Sequence, residues 1–170
     1  KRLNEAVKQL KGEMEEEDFT TTIDLNVDAF IPDSYIPNEY QKLDIYKRIA
    51  AIESDEERED MEEELIDRFG DSPKKVGTLL EVAALKARAH KLYVTTIEQK
   101  GDMYTFTMYE HAKVQPERIP KLIELFRGSL TFRAENYTFV YVHKIRNKRE
   151  KPPMPTEIVA KVLDGIARIL

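Results

Sequence analysis

The sequence predicts an α+β fold in which helices pack on a small, mainly antiparallel sheet built from hairpins. Two observations predict it. Segments with helical apolar spacing come first along the chain, and segments of alternating apolar and polar residues then follow in two pairs, with an amphipathic segment between the pairs. Paired strands with a helix between them favour an antiparallel sheet over a doubly wound parallel one.

The composition of the 170-residue chain is typical of a globular protein with a strongly charged surface, because 41% of its residues are hydrophobic and 35% are charged. Cysteine is absent, which excludes disulfides, thiolate zinc sites and cysteine nucleophiles. The sequence has neither a run of about 18 apolar residues nor the basic-then-apolar start of a secretory leader. We therefore expect a cytoplasmic protein with no membrane partner.

Opposite charges collect in the two halves of the chain. Residues 1–85 carry 23 acidic and 11 basic side chains, a net of −12, whereas residues 86–170 carry 9 acidic and 16 basic ones, a net of +7. A protein that mainly grips nucleic acid is more often basic throughout. The acidic half therefore indicates a basic protein partner. Alternatively, the two halves form solvated faces of opposite charge that attract one another within the fold.

Residues 1–18 are interpreted as a helical arm and linker that lead into a domain at residues 19–170. Apolar residues at helical spacing open the arm, and Gly12 and an acidic run interrupt the pattern. The apolar residues of the arm are Leu3, Val7 and Leu10.

A strand and a helix are predicted to begin the domain. Apolar and polar residues alternate between positions 20 and 30, which is the period of a strand with one buried face, and Pro32 and Pro37 end it. Asn38 is of a type that caps helix N-termini, so the first helix is expected to begin there. Its apolar stripe consists of Tyr40, Leu43, Tyr46, Ile49 and Ala50.

The next two helices carry clear local signals. Ser54 and Glu57 form a capping box, and Gly70 ends that helix, since helix C-termini favour a left-handed residue. Ser72 and Pro73 then start a third helix, with proline in its first turn. The inward-facing residues are Met61, Leu65, Ile66 and Phe69 on the second helix, and Val76, Leu79, Leu80, Ala83, Ala87 and Leu92 on the third.

Strand patterns then take over. Two hairpins are predicted, with Gly101 in the turn of the first and an amphipathic helix at residues 116–127 between them. A last helix is predicted to be capped by Thr156. The strands are residues 93–97, 103–109, 130–134 and 137–142.

Patterns that carry catalysis are missing. The six glycines are scattered singly and none begins a phosphate-binding loop. His90, His111 and His143 lack the paired spacing of a zinc site. We therefore expect a non-enzymatic chain with no catalytic residue, no metal and no cofactor.

The second helix carries a row of acids. When each residue turns by about 100°, these acids fall between about 240° and 320° from Met61, on the side away from the apolar residues. They could contact arginines or lysines of a partner, or form a solvated polar face. The acids are Glu57, Asp60, Glu64 and Asp67.

A basic stretch offers a second candidate site. Five cations lie between residues 144 and 151, in a proline-bearing loop after an aromatic strand. The stretch could contact nucleic-acid phosphates, although Glu150 and the prolines favour a solvated connector. The cations are Lys144, Arg146, Lys148, Arg149 and Lys151.

Three blocks of sequence resemble successive motifs of one family. They are IPDSYIP at residues 31–37, LDIYKRIA at 43–50 and ELIDRFG at 64–70, with Pro73 soon after. Together they resemble the C-terminal domain of bacterial transcription-repair coupling factors, the Mfd family. The resemblance is strongest over residues 31–92. It departs from the family at residues 91–94, where Leu-Gly-Ile is usual.

The resemblance implies a function for the domain at residues 19–170, with residues 1–18 leading from a motor. In the family, this C-terminal regulatory domain docks on an N-terminal UvrB-like module, masks UvrA binding and restrains a DNA translocase, which uses ATP and Mg²⁺ in other domains, until stalled RNA polymerase is engaged. The docking acids correspond to Glu64 and Asp67, and we extend the surface to Glu57 and Asp60. The alternative is a module that binds nucleic acid or RNA polymerase through residues 144–151.

Overall fold

A computed structural model describes residues 19–145, 147 and 149–170, and within those residues it contains five α-helices and one five-stranded sheet. The helices are α1 (Glu39–Ala50), α2 (Asp55–Phe69), α3 (Lys74–Lys91), α4 (Ile119–Leu125) and α5 (Pro155–Ala167). The strands are β1 (Thr22–Asp24), β2 (Val94–Lys100), β3 (Met103–Met108), β4 (Leu130–Arg133) and β5 (Thr138–Val142). Short 3₁₀ turns occupy Pro116–Arg118 and Ala134–Asn136. The predicted arm at residues 1–18 lies outside the described residues.

The sheet has the strand order β1-β2-β3-β5-β4. Its β2–β3, β3–β5 and β4–β5 pairs are antiparallel, and β1 alone among these strands runs parallel to its neighbour, β2. Gly101 has φ +60° in the turn of the first hairpin, a backbone conformation that favours glycine. The predicted α+β fold with a mainly antiparallel sheet is confirmed.

Strand β1 is shorter than the alternating pattern predicted. The strand covers three residues, and the Val27 N–H donates to the Leu25 carbonyl at 3.0 Å, which turns the chain away from the sheet. The Asn26 N–H donates to the Gln99 side-chain oxygen at 2.8 Å. The alternation of apolar and polar residues in the sequence therefore extends beyond the last residue of β1 that pairs with β2.

The buried apolar residues that the structure describes form two clusters joined by α3. The helical cluster includes Ile45 of α1, Leu65 of α2 and Leu80 in the first half of α3. The sheet cluster includes Ala89 in the second half of α3, together with α4, α5 and one face of the sheet. Since α3 packs in both clusters, it holds α1 and α2 in place against the sheet.

Local start and stop signals are confirmed at α1 and α2. The Asn38 side chain accepts a hydrogen bond from the Gln41 N–H, and the Ser54 side chain accepts one from the Glu57 N–H. Gly70 ends α2 with φ +86°. The predicted cap of α5 is wrong, because Thr156 is buried inside the first turn and Met154 occupies the cap position without a side-chain hydrogen bond.

The predicted apolar stripe of α1 is wrong in part. Tyr40 and Leu43 are 87% and 54% exposed, whereas Ile45 is fully buried. The stem of Lys42 takes a buried place beside Ile45 because its ammonium reaches the Asp33 carboxylate at the surface. The buried side of α1 therefore includes the aliphatic part of a lysine, which the apolar residues of the sequence alone do not predict.

None of the helices described here combines the length and apolar content needed to cross a membrane.

Candidate functional site

The four predicted acids lie along one side of α2, which we call the acidic edge (Glu57, Asp60, Glu64 and Asp67). Met61 and Leu65 anchor the opposite side of the helix in the helical cluster. Glu57, Asp60 and Asp67 are exposed, and the side chain of Glu64 is 35% exposed. The helix therefore presents carboxylates outward while its apolar side is buried.

Glu64 is engaged by two arginines of its own domain. Both terminal nitrogens of Arg48 on α1 donate to the Glu64 carboxylate, with Nη2 2.6 Å from Oε1. Arg68, one turn further along α2, donates from Nη1 to Oε2 at 3.1 Å. A two-pronged arginine contact of this kind adds geometric specificity to the ion pair and orients the carboxylate.

These contacts keep Glu64 ionised. Hydrogen bonds from Arg48 lower the pKa of Glu64 from its usual 4.5 to about 2, partial burial works in the opposite direction, and Arg68 adds to the lowering. The same pair raises the pKa of the Arg48 guanidinium, chiefly through its hydrogen bond to Glu64. Glu64 is therefore charged at any physiological pH, and its charge is balanced within the domain.

The other acids of the edge differ in whether their carboxylates are already bonded within the domain. Asp60 and Asp67 make no ion pair or side-chain hydrogen bond with any residue the structure describes. Glu57 accepts a hydrogen bond from the Glu53 N–H at 2.6 Å and so helps to cap α2. Asp60 and Asp67 are consequently the two carboxylates of the edge that are available to a partner without rearrangement.

Arg48 and Arg68 were missed by the sequence analysis. The Glu64–Arg68 pair has the i, i+4 spacing that a helix brings together, so the sequence carried that signal. Arg48 is sixteen residues away from Glu64, and nothing in local spacing predicts their contact.

The basic stretch lies in the loop after β5. Lys144, Arg149 and Lys151 are exposed and form no ion pair with any acid in the described part of the chain. Arg146 and Lys148 fall outside the described residues. The prediction that this stretch touches nucleic acid stays a prediction.

A metal site does not emerge from the described side chains, among which no group of three or more histidine, aspartate or glutamate residues is placed to hold an ion. The acidic edge combines two free carboxylates, one carboxylate held by arginines and one that helps to cap its own helix.

Comparisons with known proteins agree with the family resemblance of the sequence blocks at residues 31–37, 43–50 and 64–70. The family model described as TRCF domain matches residues 25–119. The chain is 40% identical over 124 residues to a transcription-repair-coupling factor of Bacillus subtilis, and 39% identical over 115 residues to one of Staphylococcus haemolyticus. Those alignments cover 72% and 66% of the chain, which spans about a tenth of the length of either relative.

A solved structure supports the same grouping. It is described as the crystal structure of the C-terminal domain of transcription-repair coupling factor, and it superposes with a TM-score of 0.67 at 25% sequence identity. The match covers 88% of this chain and 93% of that one.

Proposed function

This chain belongs to the TRCF domain family, and from that premise we propose that it is a non-catalytic, autoinhibitory docking domain of a transcription-repair coupling factor. In this proposal the domain docks on the N-terminal UvrB-like module of the same protein and masks the surface that binds UvrA. Docking also restrains the DNA translocase until stalled RNA polymerase is engaged.

The observation that carries the proposal is the free carboxylate of Asp67 beside the restrained carboxylate of Glu64. Asp67 is exposed and unpaired among the described residues, and Glu64 lies one turn away on the same side of α2. Two acids on one helix face suit a basic protein surface, because arginines can contact each of them.

The pairing of Glu64 with its own arginines suits a contact that must be released. The Arg48 side chain is 42% exposed and that of Arg68 is 39% exposed, and exposed ion pairs contribute only about 0–1 kcal/mol each. An incoming arginine can therefore share or displace an internal one at small cost. A closed state held by a few such pairs is favoured only modestly and can be opened by a competing partner.

A binding titration tests the proposal. The chain is titrated into the separately produced N-terminal UvrB-like module, and Asp67→Lys is compared with Glu59→Lys, the same charge change on a part of α2 outside the acidic edge. We expect Asp67→Lys to weaken binding about tenfold or more and Glu59→Lys to leave it unchanged. The proposal fails if the unaltered chain does not bind, or if the two variants bind equally well.

A further inference from the structure

A groove of about 580 Å³ lies on the sheet side of the molecule, between the end of α4, the end of β5 and α5. Its floor is made by the rings of Phe126 and Tyr141, which meet edge to face with centroids 5.8 Å apart. Gly165 of α5 also lines it, where a side chain would collide with the core. The groove is far in sequence from the acidic edge and belongs to the other apolar cluster.

Unpaired cations surround this groove. Four basic side chains line it, all exposed, and none forms an ion pair with an acid in the described part of the chain. Of the two acids that line it, Asp164 is already paired with Arg88, which leaves Glu150. The four cations are Arg127, Lys144, Lys161 and Arg168. A protein with a net charge of −5 thus has a locally positive groove.

An exposed aliphatic side chain accompanies the cations. Leu125 lines the groove and is 54% exposed. A ligand that satisfies both features must carry negative charge and aliphatic surface together.

We propose that this groove binds an acidic peptide segment of a partner protein, with its carboxylates on Lys144 and Lys161 and an aliphatic side chain against Leu125. The chemistry favours a peptide over a nucleic acid. Single-stranded nucleic acids bind by stacking their bases on exposed aromatic rings, and here Phe126 and Tyr141 are only 8% exposed. Exposed aliphatic groups give bases nothing to stack on, whereas they suit leucine or isoleucine of a peptide.

The proposal is independent of the docking function, because it uses other residues on another part of the fold. Its probe is a short synthetic peptide of glutamates with interspersed leucines. The controls are the same peptide with glutamine in place of glutamate and a single-stranded DNA. Binding of each to the chain is measured by fluorescence anisotropy at moderate ionic strength.

Two charge reversals identify the site, and a third serves as a control. Lys161→Glu and Lys144→Glu alter groove cations on a helix and in a loop, so a folding defect in one would not affect the other. Lys113→Glu makes the same change at an exposed lysine that does not line the groove.

We expect the acidic peptide to bind, with its Kd raised about tenfold by Lys161→Glu or Lys144→Glu and unchanged by Lys113→Glu. The glutamine peptide should bind much more weakly. Equal binding of both peptides, equal effects of all three substitutions, or tighter binding of the DNA than of the acidic peptide would overturn the proposal.

Discussion

The guanidinium of Arg48 on α1 grips both carboxylate oxygens of Glu64 on α2. Arg68 reaches the same carboxylate from the next turn of α2. The acid that would meet a partner's arginine is therefore already held by arginines of its own domain, and Asp67 is left as the free charge beside it. If the domain docks through the acidic edge as proposed, Arg48 competes with the partner for Glu64.

Replacing Arg48 should strengthen docking. Arg48→Met keeps the aliphatic stem but removes the charge that occupies Glu64, so the acidic edge becomes more negative. We expect the affinity for the UvrB-like module to rise by about twofold to tenfold, and the free energy of unfolding to fall by no more than about 1 kcal/mol. Calorimetric titration and thermal unfolding measure the two effects. Arg48→Lys retains the charge but loses the two-pronged contact, so its affinity should lie between those of the unaltered chain and Arg48→Met. Weaker docking by Arg48→Met would contradict the competition.

Glu64 should make the stability of the domain depend on acid pH. Its folded pKa of about 2 is below its usual 4.5, so its contribution is present above about pH 4.5 and is lost as the pH falls towards 2. Because the side chain is 35% exposed, solvent screening limits that contribution to about 1 kcal/mol or less.

The comparison that checks this is the Tm of the chain and of Glu64→Gln between pH 6 and pH 2. The difference in Tm should be constant near neutrality and shrink across the interval from about pH 4.5 to about 2. A difference that does not change with pH would mean that the ionised carboxylate does not contribute to stability.

A side chain added at Gly165 should destabilise the chain, whereas one added at Gly77 should stabilise it. A Cβ at Gly165 would lie 2.6 Å from Leu122 Cδ1 and 3.0 Å from Phe126 Cε2, so the Leu122 side chain and the Phe126 ring would have to move within the packed core. Overpacking costs about 1–3 kcal/mol and exceeds the gain of up to about 1 kcal/mol in helix propensity.

Gly77 lies within α3 with nothing within 4 Å of an added Cβ. Gly77→Ala should therefore stabilise the chain by about 0.5–1 kcal/mol. Urea unfolding of both variants tests the pair, and the reverse order of stability would show that the α4–α5 contact is looser than its geometry indicates.

Duplex DNA should bind the chain poorly. The acids of the first half repel phosphate, and the exposed cations of the basic stretch supply only a salt-sensitive attraction. We expect a Kd no tighter than about 10⁻⁵ M at low salt, weakening further at moderate salt. Tight binding that persists at about 0.15 M salt would support the alternative function through residues 144–151.

Local signals in the sequence were sufficient for the element boundaries of α2, because Ser54 and Gly70 act through their own backbone neighbourhood. The composition of the core was harder to predict. Lys42 takes a buried place because Asp33, in a loop, reaches its ammonium. Ile66, assigned to the inner face of α2, is 41% exposed.

In the candidate site, too, the features set by local sequence could be predicted and those set by tertiary contacts could not. Helical geometry places Glu64 and Asp67 on one side of α2, which the sequence predicts from spacing alone. The state of each carboxylate depends on tertiary contacts, since Arg48 arrives from another helix. Spacing predicts where a charge stands, and only the fold determines whether that charge is already paired.

The most direct test of the central claim is the affinity for UvrA of a full-length coupling factor that carries this chain with Glu64→Lys and Asp67→Lys. If the acidic edge holds the domain on the UvrB-like module, the two reversals expose the masked surface. UvrA should then bind more tightly than it does to the unaltered protein or to a Glu59→Lys control. An affinity for UvrA that is the same in all three proteins would contradict autoinhibition through this edge.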